Sequence, residues 1–95
     1  MNYNPRYKVG DIIEIHYVNF RNDEVKLRFM VTSYSPFLEA YRGLYSQTSS
    51  GWDGQDLEYR ELDAKSLDKD ERNSKFIGRN DLSLLTELLP TYKDL

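Results

Sequence analysis

His16 is the only histidine in the chain, and it is the side chain whose ordinary pKa lies closest to neutrality. It falls in a run of period two, on the face that also carries Glu14 and Val18. A general base of this kind needs an orienting carboxylate or a nucleophile beside it, and Glu14 is the same-face neighbour that fits. A solvent-facing strand residue is the plainer reading of His16. Ser46, Thr48, Ser49 and Ser50 are hydroxyl carriers, but none lies in a Gly-x-Ser-x-Gly elbow, so they read as turn formers. Asp53, Asp56 and Glu58 lie close together. They lack the alternating ligands and terminal Glu of a calcium loop, so a solvated acidic loop is expected there, with no metal. The glycines at 10, 43, 51, 54 and 78 make no phosphate cradle. Gly78-Arg79-Asn80 does precede a helix signal, but Asp81 already puts a negative charge at that point.

Two groups of residues remain for binding. The first is aromatic: Tyr34, Phe37, Tyr41, Tyr45, Trp52 and Tyr59, with Arg42 and acidic residues among them. Exposed rings beside charges anchor peptides well, whereas the same rings turned inward would fill a core. The binding version of this set is Tyr41, Arg42, Tyr45, Trp52, Asp53 and Tyr59, with Trp52 as the leading residue because glycines flank its loop. The second group is His16, Arg21, Lys26 and Arg28, gathered on one hairpin over residues 16–28, where basic side chains could meet phosphates.

The elements that must position these residues are set by pattern. Residues 1–8 read as an irregular lead-in, and Val9-Gly10-Asp11 as a turn. Then Ile13, Ile15 and Tyr17 alternate with Ile12, Glu14, His16 and Val18, which predicts a half-buried strand. A charged turn at Asn22-Asp23 leads to a second alternation, Val25, Leu27, Phe29 and Val31 against Lys26, Arg28, Met30 and Thr32. The two strands form a hairpin. Pro36 and its neighbours, Ser33 to Phe37, interrupt the pattern. A third strand runs from Glu39 to Gln47, with Tyr41, Gly43 and Tyr45 alternating against Ala40, Arg42, Leu44 and Ser46, and Gly43 within it predicts a bulge or sharp bend. Leu57-Glu58-Tyr59 suggests another strand, followed by a helical turn or loop before a last strand over Lys75-Phe76-Ile77-Gly78. Asn80 or Asp81 can cap a short C-terminal helix over 81–89, with Leu82, Leu85 and Leu89 on one side and Pro90 as its stop.

These elements predict one mainly-β domain over residues 1–95: a five-stranded SH3-like barrel or strongly bent antiparallel sheet with a short C-terminal helix. The alternative is an α+β arrangement with a second helix near 57–70. The opening Val9-Gly10-Asp11-Ile12-Ile13-Glu14-Ile15 resembles that of small SH3-like barrels, over about residues 8–80. Growth-inhibitory RNase toxins of that architecture open similarly, but their catalytic Arg and Ser/Thr pattern finds no place on this chain. The Ala-Leu-Tyr-Asp-Tyr motif of SH3 peptide-binding domains is also lacking. A barrel of this kind hosts many functions, so the resemblance speaks to fold only.

Composition narrows the chemistry. The 95 residues carry a net charge of −3, with 39% hydrophobic, 31% charged and 14% aromatic residues, which suits a folded chain with a modest core. There is no Cys, which excludes disulfide scaffolds and thiolate metal sites, and a single His excludes two-histidine sites. Residues 1–48 hold six Lys/Arg and five Asp/Glu, whereas residues 49–95 hold seven and eleven. The surplus acid sits around Asp53, Asp56, Glu58, Glu61 and Asp63. Dispersed basic residues disfavour a duplex-binding face. No apolar stretch reaches signal-peptide or membrane-span length, so a cytoplasmic protein without membrane association is expected. The first reading is therefore a non-enzymatic module without cofactor or metal, a monomer or homodimer that binds another protein through its aromatic and acidic surface. The second is a nucleic-acid-binding or RNase-toxin-like protein using His16, Arg21, Lys26 and Arg28.

Overall fold

The computed structural model describes residues 3–18, 20–47, 57–70 and 72–88. Five strands form one antiparallel sheet: β1 (Asp11–Val18), β2 (Glu24–Ser35), β3 (Ala40–Gln47), β4 (Glu58–Asp63) and β5 (Ser74–Arg79). Helix α1 (Ala64–Lys69) lies between β4 and β5, and α2 (Ser83–Thr86) comes after β5. The strand order is β4-β3-β2-β1-β5, so β4 and β5 are the two edges and the sheet is not closed into a barrel. A mainly-β fold with one antiparallel sheet and two short helices is what forms.

Turn chemistry sets the corners. Gly10 adopts φ +97°, a conformation few side chains tolerate. From there its N–H donates to Val31 O at 2.7 Å, and its carbonyl accepts from Asn80 N–H at 2.8 Å. The start of β1 is thereby stitched to both of its neighbours. Asn22, in the expected β1–β2 turn, takes φ 64°, which asparagine accepts more readily than most residues. β2 runs on through Ser33, Tyr34 and Ser35, past the point where the pattern predicted an interruption, and Pro36 begins the turn only afterwards. The proline ends the strand only from its own position onward. Of the predicted bulge or bend, what the sheet shows is a register slip of β2 against β3 between Val31 and Ser33. Gly43 stands opposite Val31, and a Cβ there would lie 1.9 Å from Met30 O, so the two backbones meet at a distance only glycine allows.

Both faces of the sheet are covered, but only in part. On one face Ile13, Phe29, Val31, Tyr41 and Tyr45 pack with Tyr7 of the lead-in and with Ala64 and Leu67 of α1. On the other, α2 lies against β2 and β3, with Leu85 and Leu88 buried. β1 accordingly changes character along its length: Asp11 to Glu14 are all buried, and His16 to Val18 are exposed. The alternation predicted one solvated face throughout. Cover on both sides at one end of the strand, and on neither at the other, is what replaces it.

The stretch near 57–70 divides between the two expectations. Its first half is β4, and its second half is α1, whose N-terminus is capped by Asp63 accepting from Ser66 N–H at 2.9 Å. The C-terminal helix is shorter than 81–89, and Leu89 is outside the described residues. Asp81 does serve its start, accepting from Ser83 N–H at 3.1 Å and from Ser83 Oγ at 2.6 Å. Its buried pair is Leu85 and Leu88, while Leu82 stays half exposed.

Candidate binding groove at the end of the β1–β2 hairpin

The aromatic set does not make one surface. Tyr41 is wholly buried, its hydroxyl donating to Asp68 Oδ1 at 2.7 Å and accepting from Tyr7 N–H at 3.0 Å. Burial pushes its pKa up, and the bond to Asp68 adds to the rise. Tyr34 packs beside it, ring centroids 5.5 Å apart. Tyr45 is buried on the same face under the Arg60 guanidinium, 4.8 Å from its ring centroid. Arg42 and Tyr59 lie on the opposite face, because neighbouring strand positions alternate sides. There Arg42 pairs with Glu61 at 3.0 Å, and the Tyr59 hydroxyl meets Thr32 Oγ1 at 2.6 Å. Trp52 and Asp53 fall outside the described residues. The expected combined surface of Tyr41, Arg42, Tyr45 and Tyr59 is thus divided by the sheet itself. The acids near it are occupied locally: Glu58 holds Arg60, Glu61 holds Arg42, and Asp63 caps α1.

The basic set divides differently. His16 stands opposite Lys26 in the β1–β2 ladder, and Glu14 opposite Arg28. Arg28 is no surface cation. Its side chain is only 15% exposed; Nε donates to Glu14 Oε2 at 2.8 Å, and Nη1 donates to Leu84 O at 2.7 Å and to the Glu87 carboxylate. It ties the sheet to α2. Glu14 is more buried still, and its other oxygen accepts from His16 Nε2 at 2.7 Å. Burial pushes the Glu14 carboxyl up, but the hydrogen bonds from His16 and Arg28 and the positive charges of Arg28 and Lys26 outweigh it. The group titrates below the usual carboxylate range. Arg21 sits by the hairpin turn, its guanidinium 5.6 Å from the Phe20 ring centroid. Of the four predicted residues, His16 and Lys26 come together, with Arg28 behind them as a support.

His16 and Lys26 belong to the wall of a groove of about 740 Å³, lined also by Tyr17, Val18, Glu24, Val25, Asn73 and Leu88. Strand lengths explain why it exists. β1 pairs with β2 from Ile12 to Val18, but with β5 only from Asp11 to Ile15. The last contact on the β5 side is His16 N–H donating to Asn73 O at 2.8 Å. The Asn73 N–H turns away to Asp70 Oδ1, at 3.2 Å, so it does not extend the ladder. In an antiparallel ladder every second residue sends its N–H and C=O to the same side. Val18 therefore directs both groups to the side on which β5 has ended. Apolar side chains, a few polar groups and a strand edge that no described residue covers meet in one concavity.

Tyr17, Val18, Glu24, Val25, Asn73 and Leu88 were not singled out by sequence. The available signal was a length mismatch, eight strand-like residues at 11–18 against four at 75–78. Among the described residues no group of three His, Asp or Glu side chains is placed to hold a metal ion. No helix among them is long and apolar enough to cross a membrane. No protein-family model, curated protein or solved structure matches the chain.

Proposed function

We propose that this protein is a small non-enzymatic binding module that takes an extended peptide segment of a protein partner by strand addition along the end of β1. The observation that carries the reading is the end of β1 inside the groove, which among the described residues has no strand on its β5 side beyond His16. An added strand gains affinity from main-chain hydrogen bonds and specificity from the side chains on either side of it. Tyr17 and Val18 offer apolar contact here, and His16, Lys26 and Glu24 offer polar contact. The binding surface moves accordingly from the middle of the chain to the hairpin end. A bent, open sheet akin to an SH3-like barrel suits this use, because a sheet that stops short of closure leaves strand edge to pair. Burial of Arg28 against Glu14 and Glu87 weighs against the nucleic-acid reading, since it withdraws one of the four cations.

The test is Val18→Pro compared with Val18→Ala. The Val18 N–H points away from β2, so proline there leaves the β1–β2 ladder intact while removing a donor from the open edge. Both variants should keep the wild-type circular dichroism spectrum. Wild type and Val18→Ala should enrich a common set of peptides from a displayed hexapeptide library, with Val18→Pro binding them about tenfold more weakly, the equivalent of one main-chain bond. Equal binding by a folded Val18→Pro would remove strand addition as the mechanism.

A further inference from the structure

Strand pairing sorts the residues of an added strand into rows, and the rows at the end of β1 differ in chemistry. Beside His16 a partner residue finds no place, because Asn73 O already accepts the His16 N–H at 2.8 Å. The first two rows that a partner can join are those of Tyr17, which faces Val25, and of Val18, which faces Glu24. A residue that joins a row puts its side chain on the same face as the two already in it. The Tyr17 row is apolar. The Tyr17 hydroxyl leans over the sheet toward Gln47 Oε1, 3.4 Å away, and the residue is 42% exposed. The Val18 row joins an aliphatic side chain, 60% exposed, to the exposed carboxylate of Glu24 beyond it.

Glu24 is the charge that the hairpin end leaves for a partner. Among the described residues its side chain makes no hydrogen bond or ion pair, whereas Arg21, Asp23 and Lys26 around it are all engaged. His16 is held by Glu14 at 2.7 Å, and Asp70 accepts from Asn73 N–H at 3.2 Å and from Asn73 Nδ2 at 3.3 Å. The backbone of a residue joining the Val18 row lies two strand spacings, about 10 Å, from that of Glu24. A lysine or arginine spans this gap, its methylenes lying over Val18 and its charged head meeting the carboxylate, and a short side chain does not. An aspartate or glutamate in the same place would meet like charge. We propose that the groove selects its partner strand by two consecutive residues: Lys or Arg in the Val18 row, with its cation on Glu24, and an apolar residue next to it in the Tyr17 row. The inference rests on the strand-addition reading and adds to it the chemistry of the partner.

The experiment uses the full chain and the same displayed hexapeptide library, with wild type, Glu24→Gln and Glu24→Lys, each checked for the wild-type circular dichroism spectrum. Wild type should enrich peptides with Lys or Arg at one position and an apolar residue beside it. Glu24→Gln should bind those peptides about threefold more weakly, the size expected of an exposed ion pair, and the difference should shrink as salt is added. Glu24→Lys should replace the basic residue by Asp or Glu at that one position and keep its apolar neighbour. If folded Glu24→Lys and Glu24→Gln enrich the same residues as wild type, and Val18→Pro still weakens binding, the role given to Glu24 is wrong while strand addition stands. Enrichment of acidic residues by wild type would likewise overturn the proposal. If Val18→Pro binds the enriched peptides as tightly as wild type, both readings fall together.

Discussion

Changing Glu14 to Gln keeps the shape of the side chain and removes its charge from the junction of β1, β2 and α2. The carboxylate is 7% exposed and accepts from His16 Nε2 at 2.7 Å and from Arg28 Nε at 2.8 Å. Hydrogen bonds to a charged group contribute about 1.5–3 kcal/mol and neutral ones about 0.5–1.5 kcal/mol, so the bond from His16 loses about 1 kcal/mol, while the bond from Arg28 keeps its charged donor and loses the ion-pair attraction, about 1 kcal/mol more. The amide also has a single acceptor oxygen, so one donor faces an NH₂ group. Arg28 keeps Glu87 and Leu84 O as partners, which holds the loss below that of orphaning a buried cation. The sum is about 2–3 kcal/mol, or roughly 10–20 °C in Tm for a domain of this size. The pH dependence is the sharper signature. A carboxyl that titrates lower in the folded state than in the unfolded one stabilises the fold above the ordinary carboxylate range. That stabilisation disappears as the pH falls through the folded value. Gln has no such titration, so the gap between wild type and Glu14→Gln is full at pH 7 and closes in acid. Urea unfolding followed by circular dichroism, at pH 7 and at about pH 3, reads both quantities. A gap below about 0.5 kcal/mol at pH 7, or one that is unchanged in acid, would refute the role assigned to Glu14.

Two further substitutions test the sheet. Gly43→Ala drives a methyl group into the Met30 carbonyl and should destabilise by about 3 kcal/mol, seen as a lower urea midpoint; a neutral effect would mean β2 and β3 are not so close at the bend. Tyr34 goes the other way. Its hydroxyl is buried without a hydrogen-bond partner among the described residues, and its pKa is pushed up by that burial. Tyr34→Phe should therefore stabilise by about 1 kcal/mol at pH 7, and a loss of stability would show that the hydroxyl has a partner after all.

Much of the local structure was legible in order along the chain. Period-two alternation marked β1, β2 and β3, because the side chains of a strand must face two different environments. Gly10 and Asn22 marked turns, since they tolerate positive φ where most residues do not. Gly43 marked the register slip between β2 and β3. The same alternation already set Tyr41 and Tyr45 apart from Arg42, so the division of the aromatic set was readable there, although charge and aromatic counts drew attention elsewhere. α1 was harder, because six residues are too few for a helical period to show, and only Asp63 signals its start.

What the sequence determined by itself is which residues can face together: Ile13 with Ile15 and Tyr17, and Glu14 with His16 and Val18. Only the tertiary structure decided what stands opposite those faces and how far it extends. α2 reaches Arg28 and turns a basic residue into an internal strut, and β5 begins only at Ser74, so that among the described residues nothing pairs with the last residues of β1 on that side. The physical reason is that alternation is a property of neighbouring residues, whereas cover and pairing come from segments far away in the chain. Arg28 and Leu84 are separated by 56 positions, and the groove exists because two strands of unequal length lie side by side.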